Sequence, residues 1–197
     1  MDQAPERALD EYLVLLSQSG SSDALDGLAR RWTPRLLRYS ARVLGGSSDA
    51  ADTARDVVQE VWIGVIRGLR GLRDPAQFPA WIYGITTRKC ADVIRADMRG
   101  RAPKTHVVDQ EPAQDASLAL LHQIDLADAI RRLPPLHRAV IHLFYREDLT
   151  VAEIATVLRV PAGTVKSRLH HARESLRQQL DGCGRNVASH YSNGSTP

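Results

Sequence analysis

The sequence predicts an all-α protein made of two small helical domains joined by a flexible linker. Apolar residues recur at steps of three and four along most of the chain, and no stretch shows the alternation typical of a strand. Residues 101–116 interrupt this pattern with prolines, acids and no apolar periodicity. With 43% hydrophobic residues, the chain has enough apolar side chains for a core in each domain.

Residues 1–20 form an N-terminal extension in which Leu9, Leu13 and Leu16 have the spacing of a short helix. A longer helix follows, and Pro34 should kink it or divide it in two, because proline lacks a backbone donor. The apolar positions that predict this second helix are Leu25, Leu28, Trp32, Leu36, Tyr39 and Val43.

Two further helices complete the first domain, residues 21–100. Acidic residues between Asp49 and Asp56 suit the positive end of the third helix. The fourth helix is expected from about Pro75 to Met98. The apolar stripe of the third helix is Val58, Val61, Trp62, Val65 and Leu69, and that of the fourth is Phe78, Ile82, Ile85 and Val93.

A second stripe on the fourth helix places an aromatic residue among arginines. It consists of Trp81, Arg88, Asp92, Arg95 and Arg99. Aromatic rings stack on unpaired bases and arginines neutralise the backbone, so the stripe suits single-stranded nucleic acid. The alternative is that Trp81 belongs to the core and the arginines are merely solvated.

The second domain, residues 117–181, ends in two helices joined by a tight turn. Thr150 and Glu153 fit a capping box at the start of the first helix, and Pro161 stops it because proline cannot continue a helix. The pair has the pattern of a helix-turn-helix. Beyond it, residues 182–197 are expected to form a disordered tail.

The polar face of the last helix is rich in hydrogen-bond donors, as insertion into a DNA major groove requires. An ordinary amphipathic hairpin would look similar. From Arg159 to Arg177, however, there are five Lys or Arg and one acid, Glu174, so the face carries one sign of charge. We predict DNA contacts from Thr164, Lys166, Ser167, Arg168, His170, His171, Arg173 and Arg177.

Composition narrows the function classes. The net charge of +3 conceals basic ends around an acidic middle, which suits a protein that grips a polyanion at two places. Cys90 and Cys183 match no zinc or redox spacing, and no catalytic motif is present. We therefore expect no metal, no cofactor and no enzyme activity. With neither a signal peptide nor an apolar run of spanning length, we expect a cytoplasmic protein without membrane insertion.

Residues 133–180, LPPLHRAVIHLFYREDLTVAEIATVLRVPAGTVKSRLHHARESLRQQL, resemble region 4 of bacterial RNA polymerase sigma factors. The similarity is greatest to the small extracytoplasmic-function (ECF) class, whose recognition helix carries a GTVKSRL-type signature, here Gly163 to Leu169. In that family the helix reads the −35 promoter element. The resemblance implies the same role for the DNA-contacting residues of the last helix.

Residues 56–95, DVVQEVWIGVIRGLRGLRDPAQFPAWIYGITTRKCADVIR, resemble sigma-factor region 2. In that family the DxxQEV helix docks on a coiled coil of the largest polymerase subunit, which implies that role for Asp56, Gln59, Glu60 and Trp62. The segment from Phe78 resembles the part that melts and reads the −10 element, although Arg88 stands where the family usually has Asn. The implied single-strand contacts are Trp81, Tyr83, Arg88, Lys89, Asp92, Arg95 and Arg99.

Together the resemblances imply an ECF sigma factor of the sigma-70 family, a promoter-specificity subunit in a stress or envelope response. Its expected partners are core RNA polymerase, promoter DNA and an anti-sigma factor. The alternative is a free-standing helix-turn-helix transcriptional regulator whose N-terminal helices serve dimerisation or a partner protein. Stable association with core polymerase separates the two functions.

Overall fold

The computed structural model describes residues 4–45, 48–100 and 126–191, and every regular element in these ranges is helical. The predicted all-α class is confirmed. The expected linker, residues 101–116, lies outside the described residues. The helices are α1 (Ala4–Gln18), α2 (Ser22–Leu44), α3 (Ser48–Gly68), α4 (Phe78–Gly100), α5 (residues 126–132), α6 (Pro135–Tyr145), α7 (Val151–Leu158) and α8 (Ala162–Tyr191).

Helix α2 shows which local signals set its ends. The Ser21 side chain caps its start by accepting a hydrogen bond from a backbone amide at 3.2 Å. Gly45, with φ of 105°, ends it in the left-handed conformation. Of the two outcomes predicted at Pro34, a kink or a division, the division does not occur, since one helix runs from Ser22 to Leu44. Pro34 is exposed, while Trp32 and Leu36 on the other side are buried, and tertiary packing of such a face stabilises a helix through a local interruption.

Two 3-10 turns, Leu69–Gly71 and Pro75–Gln77, connect α3 to α4. The Asp74 side chain accepts a hydrogen bond from the amide of Ala76 at 3.0 Å, which fixes the start of the second turn. The fourth helix therefore begins at Phe78 rather than at Pro75, and it continues to Gly100.

The predicted capping box at the start of α7 is confirmed. The Thr150 amide donates to Glu153 Oε2 at 2.7 Å, and the Glu153 amide donates to Thr150 Oγ1 at 3.2 Å. Arg159, with φ of 53°, ends α7 in the left-handed conformation. The turn before Ala162 is thus as short as a helix-turn-helix requires.

Helix α8 continues through Tyr191, past the expected end of the second domain at residue 181. The prediction of a disordered tail from residue 182 differs from the structure over 182–191, and residues 192–197 lie outside the described part. Gly182 and Gly184 each lower helix propensity by about 1 kcal/mol. The next proline is Pro197, so no residue of 182–191 forbids helical backbone.

Each domain contributes helices to one continuous core. Helix α4 packs on α7, and α2 packs on α6. The sequence pattern predicted both domains but not this packing of one on the other. The largest fully buried side chains include Leu28, Leu36, Tyr39, Phe78, Ile82 and Tyr83 in the first domain and Val140, Leu143 and Ile154 in the second.

Three contacts hold the domains together. Gly84 of α4 faces α7 so closely that a Cβ atom there would lie 3.6 Å from the carbonyl oxygen of Val157. The Tyr83 hydroxyl donates to Glu147, which follows α6. Arg7 of α1 pairs with Glu153 of α7 at 3.1 Å, so the N-terminal helix also reaches the helix-turn-helix.

Candidate nucleic-acid interface

The polar face of α8 is open to solvent in this structure. Val165, Leu169 and Ala172 are buried against the second domain and orient the helix. Because residues three and four apart share a helix face, this burial turns the intervening positions outward. The predicted DNA contacts that are exposed are Lys166, Ser167, His170, His171, Arg173 and Arg177.

Two predicted DNA contacts are half-buried. Thr164 lies in the first turn of α8, where its carbonyl accepts a hydrogen bond from the Ser167 hydroxyl at 3.0 Å. Arg168 lies close to His137 of α6. Burial lowers the pKa of His137, and the positive charges of Arg168 and His171 lower it further. The start of α8 therefore gathers positive charge, as a phosphate contact requires.

The C-terminal part of the predicted face already has partners within the chain. The Arg173 guanidinium lies 5.6 Å from the ring centre of Phe144 and 5.5 Å from that of Tyr145. Arg177 pairs with Glu174 at 2.9 Å, and its hydrogen bond lowers the pKa of Glu174 to about 2. DNA would have to compete with these contacts, whereas Lys166 has no such aromatic contact.

The charged stripe on α4 is exposed from Arg88 to Arg99. Arg95 pairs with Asp92 at 2.6 Å, and Arg99 Nε donates to the carbonyl of Arg95 at 3.2 Å. Lys89, half-buried, pairs with Glu60 of α3 at 3.1 Å. The structure therefore brings the predicted strand-contacting stripe together with the predicted polymerase-binding helix.

Trp81 is half-buried, so neither of its two predicted environments describes it fully. Its ring packs against Gly68, where a Cβ atom would lie 3.0 Å from Trp81 Cζ2. It also lies 6.1 Å from the Phe78 ring, centre to centre. Packing on the core fixes the ring in place while part of it stays accessible for stacking.

Tyr83, predicted to contact the single strand, is instead a core residue here and only 2% exposed. Its ring lies 5.6 Å from that of Trp32 and 5.1 Å from that of Tyr39. Burial and the nearby Glu147 raise the pKa of its hydroxyl. Positions 84–87 are also buried, and among them Gly84 is covered by α7.

The predicted polymerase-binding residues separate into two groups. Asp56, Gln59 and Glu60 are exposed on α3, opposite the buried Val57, Val58 and Val61. Trp62 is half-buried, and its Nε1 donates to Thr33 Oγ1 at 3.0 Å. Trp62 thus ties α3 to α2, and the open polar patch consists of the other three.

Sequence reasoning missed Arg159, which ends α7 and lies near Arg88 of α4. Burial, and then the charge of Arg159, lowers the pKa of Arg88. No local signal could have shown this proximity, because it arises only when α7 packs on α4. Within the described ranges, no cluster of three or more His, Cys, Asp or Glu side chains could hold a metal, and no helix has the length and apolarity to cross a membrane.

Comparison with known proteins gives these two helical units a family. The family model "Sigma-70 region 2" matches residues 28–100, and "Sigma-70, region 4" matches residues 123–176. SigW of Bacillus subtilis, an ECF RNA polymerase sigma factor, is 30% identical over 83% of this chain and 92% of its own length. This chain belongs to the sigma-70 family, in its ECF class.

Other relatives agree with this assignment. SigE of Mycolicibacterium smegmatis, also an ECF sigma factor, is 34% identical over 79% of this chain, and the match spans 61% of its length. The solved structure of CnrH with the cytosolic domain of CnrY has a TM-score of 0.64 and 25% identity, covering 88% of this chain and 98% of CnrH. ECF sigma factors direct core RNA polymerase to promoter DNA, and this sigma factor does so. Helices α3, α4 and the first half of α8 all lie within the matched regions.

Proposed function

We propose that this sigma factor reads the −35 element with α8, reads the melted −10 strand with α4 and binds core polymerase through α3. The observation that carries the proposal is the open donor face of α8 on a capped helix-turn-helix. A helix so placed can enter the major groove while α7 crosses the backbone. With α4 and α8 divided in this way, the first domain (residues 21–100) reads the −10 element and the second domain (residues 117–181) reads the −35 element.

On α8, Lys166 and Ser167 are the leading base-reading candidates, because both are exposed near the N-terminal end that approaches the groove. His170 and His171 add donors one turn later. Arg168 and Thr164, beside the turn, suit phosphate contacts that set the register.

On α4, Arg88, Arg95 and Arg99 supply positive charge, and Trp81 supplies a ring for stacking. Asp92 holds Arg95 in position through their ion pair. A flipped base loses its stacking in the duplex, and an aromatic platform with cationic neighbours compensates for that loss. This chain has Arg88 where the family usually has Asn, so we expect its preferred base in the −10 element to differ from that of its relatives.

The polymerase contact can be tested without DNA. Replacing both Gln59 and Glu60 with Ala should weaken competition for core polymerase by at least about tenfold, because the open polar patch loses two of its three members. Lys89→Ala is the matched control, since it also breaks the Glu60–Lys89 pair but leaves the patch in place. Equal competition by wild type and the double variant, with unchanged circular dichroism, would refute the assignment.

We further propose that an anti-sigma factor binds the free protein. CnrH, which this chain resembles, was solved in complex with the cytosolic domain of a second protein, CnrY. The protein would act in the cytoplasm, where core polymerase is, and as an initiation factor without catalysis of its own. A nucleotide hydrolysis assay should give no turnover above the buffer rate.

A further inference from the structure

A polar cavity lies where the two domains meet. It has a volume of about 410 Å³, within the range of small-molecule sites in proteins. Helices α1 and α2, the start of α4 and the turn after α6 enclose it. None of the residues that we assign to promoter or polymerase binding lines it, apart from the buried Tyr83.

Four of the charged residues around the cavity form ion pairs with neighbours. Arg35 pairs with Glu6 at 2.5 Å, and Asp10 is held by Arg31 at 2.8 Å. Arg7 pairs with Glu153 of α7. Glu147 accepts the Tyr83 hydroxyl, and Asp148 also has an interaction of its own. Glu6 and Asp10 are therefore balanced by arginines, whereas Glu147 keeps its negative charge because a tyrosine hydroxyl is a neutral donor.

Three arginines of the wall have no ion pair among the described residues. They are Arg38 and Arg42 of α2 and Arg146, directly after α6. Burial lowers the pKa of Arg42, and the charge of Arg146 lowers it further. Glu147 raises this pKa, and the charge of Arg38 lowers it by less than Glu147 raises it. Positively charged arginines from both domains therefore lie close together at the cavity.

Trp32 also belongs to the wall of this cavity. Its side chain is 2% exposed, and its Nε1 is fully buried. The groups of the wall that can reach a ligand by hydrogen bonding are therefore the three arginines, and guanidinium groups favour an acceptor-rich anion.

We propose that this cavity binds a small oligophosphate, inorganic or part of a nucleotide, that bridges Arg38 and Arg42 of the first domain to Arg146 of the second. Guanidinium groups bind phosphate oxygens in a bidentate manner, which a single chloride or carboxylate cannot match across three arginines. Because its contacts come from both domains, the ligand stabilises the packing of one domain on the other by linkage. Apart from Tyr83, the residues of this site differ from those assigned to promoter contacts.

The test is calorimetric titration of the full chain with inorganic tripolyphosphate, with ATP as a second probe. We expect one site per chain. Replacing Arg42 and Arg146 together with Gln should weaken binding at least about tenfold, because each arginine removes charge-assisted hydrogen bonds. Arg67 and Arg70, exposed and outside the cavity wall, give the matched control: Arg67→Gln with Arg70→Gln should leave affinity within about twofold. If tripolyphosphate and ATP bind with equal affinity, the site recognises the phosphates alone. If ATP binds more tightly, the site also contacts the nucleoside.

Two further variants keep the result interpretable. Arg38 is exposed, so Arg38→Gln should weaken binding without loss of thermal stability even if the double variant folds poorly. Lys166→Gln with Arg168→Gln tests whether the probe binds α8 instead. The proposal is overturned if neither probe binds, if all variants lose affinity equally, or if only the α8 variant loses it.

Discussion

Helices α4 and α8 are both proposed to contact promoter DNA, yet they differ in how far other helices cover the residues assigned to that contact. The face of α8 is open along the matched helix-turn-helix, and towards its C-terminal end Arg173 and Arg177 are engaged by aromatic or acidic side chains. Helix α4 has its charged C-terminal half exposed, but α7 covers its middle at Gly84. The face that we propose to read duplex DNA is therefore open in this structure, whereas the face that we propose to read the melted strand is open only in its C-terminal half.

This contrast shows which features depend on local sequence. A helix-turn-helix is fixed by signals within about 30 residues, namely the capping box at Thr150, the left-handed turn at Arg159 and the apolar stripe of α8. The environment of α4 depends on residues far along the chain, such as Val157 and Glu147. No sequence pattern near α4 encodes those contacts.

The largest expected effect concerns the buried histidine at the joint between α6 and α2. His142 is 5% exposed, and burial, then Arg42, Arg146 and Arg138, lower its pKa from 6.5 to about 4. The folded state thus binds fewer protons than the unfolded state, so stability is lost as pH falls from 6.5 through 4, by up to about 3 kcal/mol. His142→Leu should remove this loss, as urea unfolding at pH 7 and 4.5 would show.

The exposed His171 provides the control for that experiment, because His171→Leu should retain the wild-type dependence on pH. If His142→Leu and wild type lose the same stability between the two pH values, another group is responsible for the acid sensitivity of the joint.

A second prediction breaks the cover over α4. Gly84→Leu should push α7 away, because a leucine side chain does not fit where a Cβ atom already lies 3.6 Å from Val157. Overpacking of this kind costs about 1–3 kcal/mol. Small-angle scattering should show a larger radius of gyration with unchanged helix content. Gly84→Ala, whose Cβ is in ordinary contact distance, should keep the wild-type radius, and an unchanged radius in Gly84→Leu would show that Gly84 does not control the packing.

A third prediction separates the free and engaged parts of the α8 face. Lys166→Ala should weaken binding to −35 duplex DNA by about 1–3 kcal/mol if Lys166 reads a base. If it touches only phosphate, binding should weaken on all sequences and the salt dependence should fall by roughly one counterion. Arg177→Ala should have a smaller effect, because Arg177 already pairs with Glu174. A larger loss for Arg177 than for Lys166 would contradict this ranking.

Much of the fold was predictable from apolar spacing, because the stripes of α2, α3 and α8 coincide with buried residues such as Leu28, Val61 and Val165. The alternative that Pro34 divides α2 was wrong, since packing of α2 outweighs the lost backbone donor. On the candidate site, Lys166 and Glu60 are exposed as expected. The burial of Tyr83 could not be predicted, because its place in an aromatic cluster with Trp32 and Tyr39 depends on tertiary contacts rather than on helix periodicity.

The smallest expected effect is at Arg88, where α4 meets the turn after α7. Arg88→Asn restores the family's usual residue and removes the repulsion with Arg159. Stability should change by no more than about 0.5 kcal/mol, as for most exposed positions. Base preference within the −10 element should change instead, measured by transcription from a template library randomised there. Identical preferences for both proteins would show that Arg88 does not face the strand.

The most direct test of the division between α4 and α8 is run-off transcription with core polymerase on duplex and on pre-melted promoters. Genomic fragments would first supply a promoter for the wild-type protein. On the duplex, Trp81→Ala and Lys166→Ala should both reduce transcription. Pre-melting the −10 region should restore much of the activity of Trp81→Ala, because duplex opening is already done, and little of the activity of Lys166→Ala. Rescue of Lys166→Ala but not of Trp81→Ala, or no transcription by the wild type with core polymerase, would contradict the account.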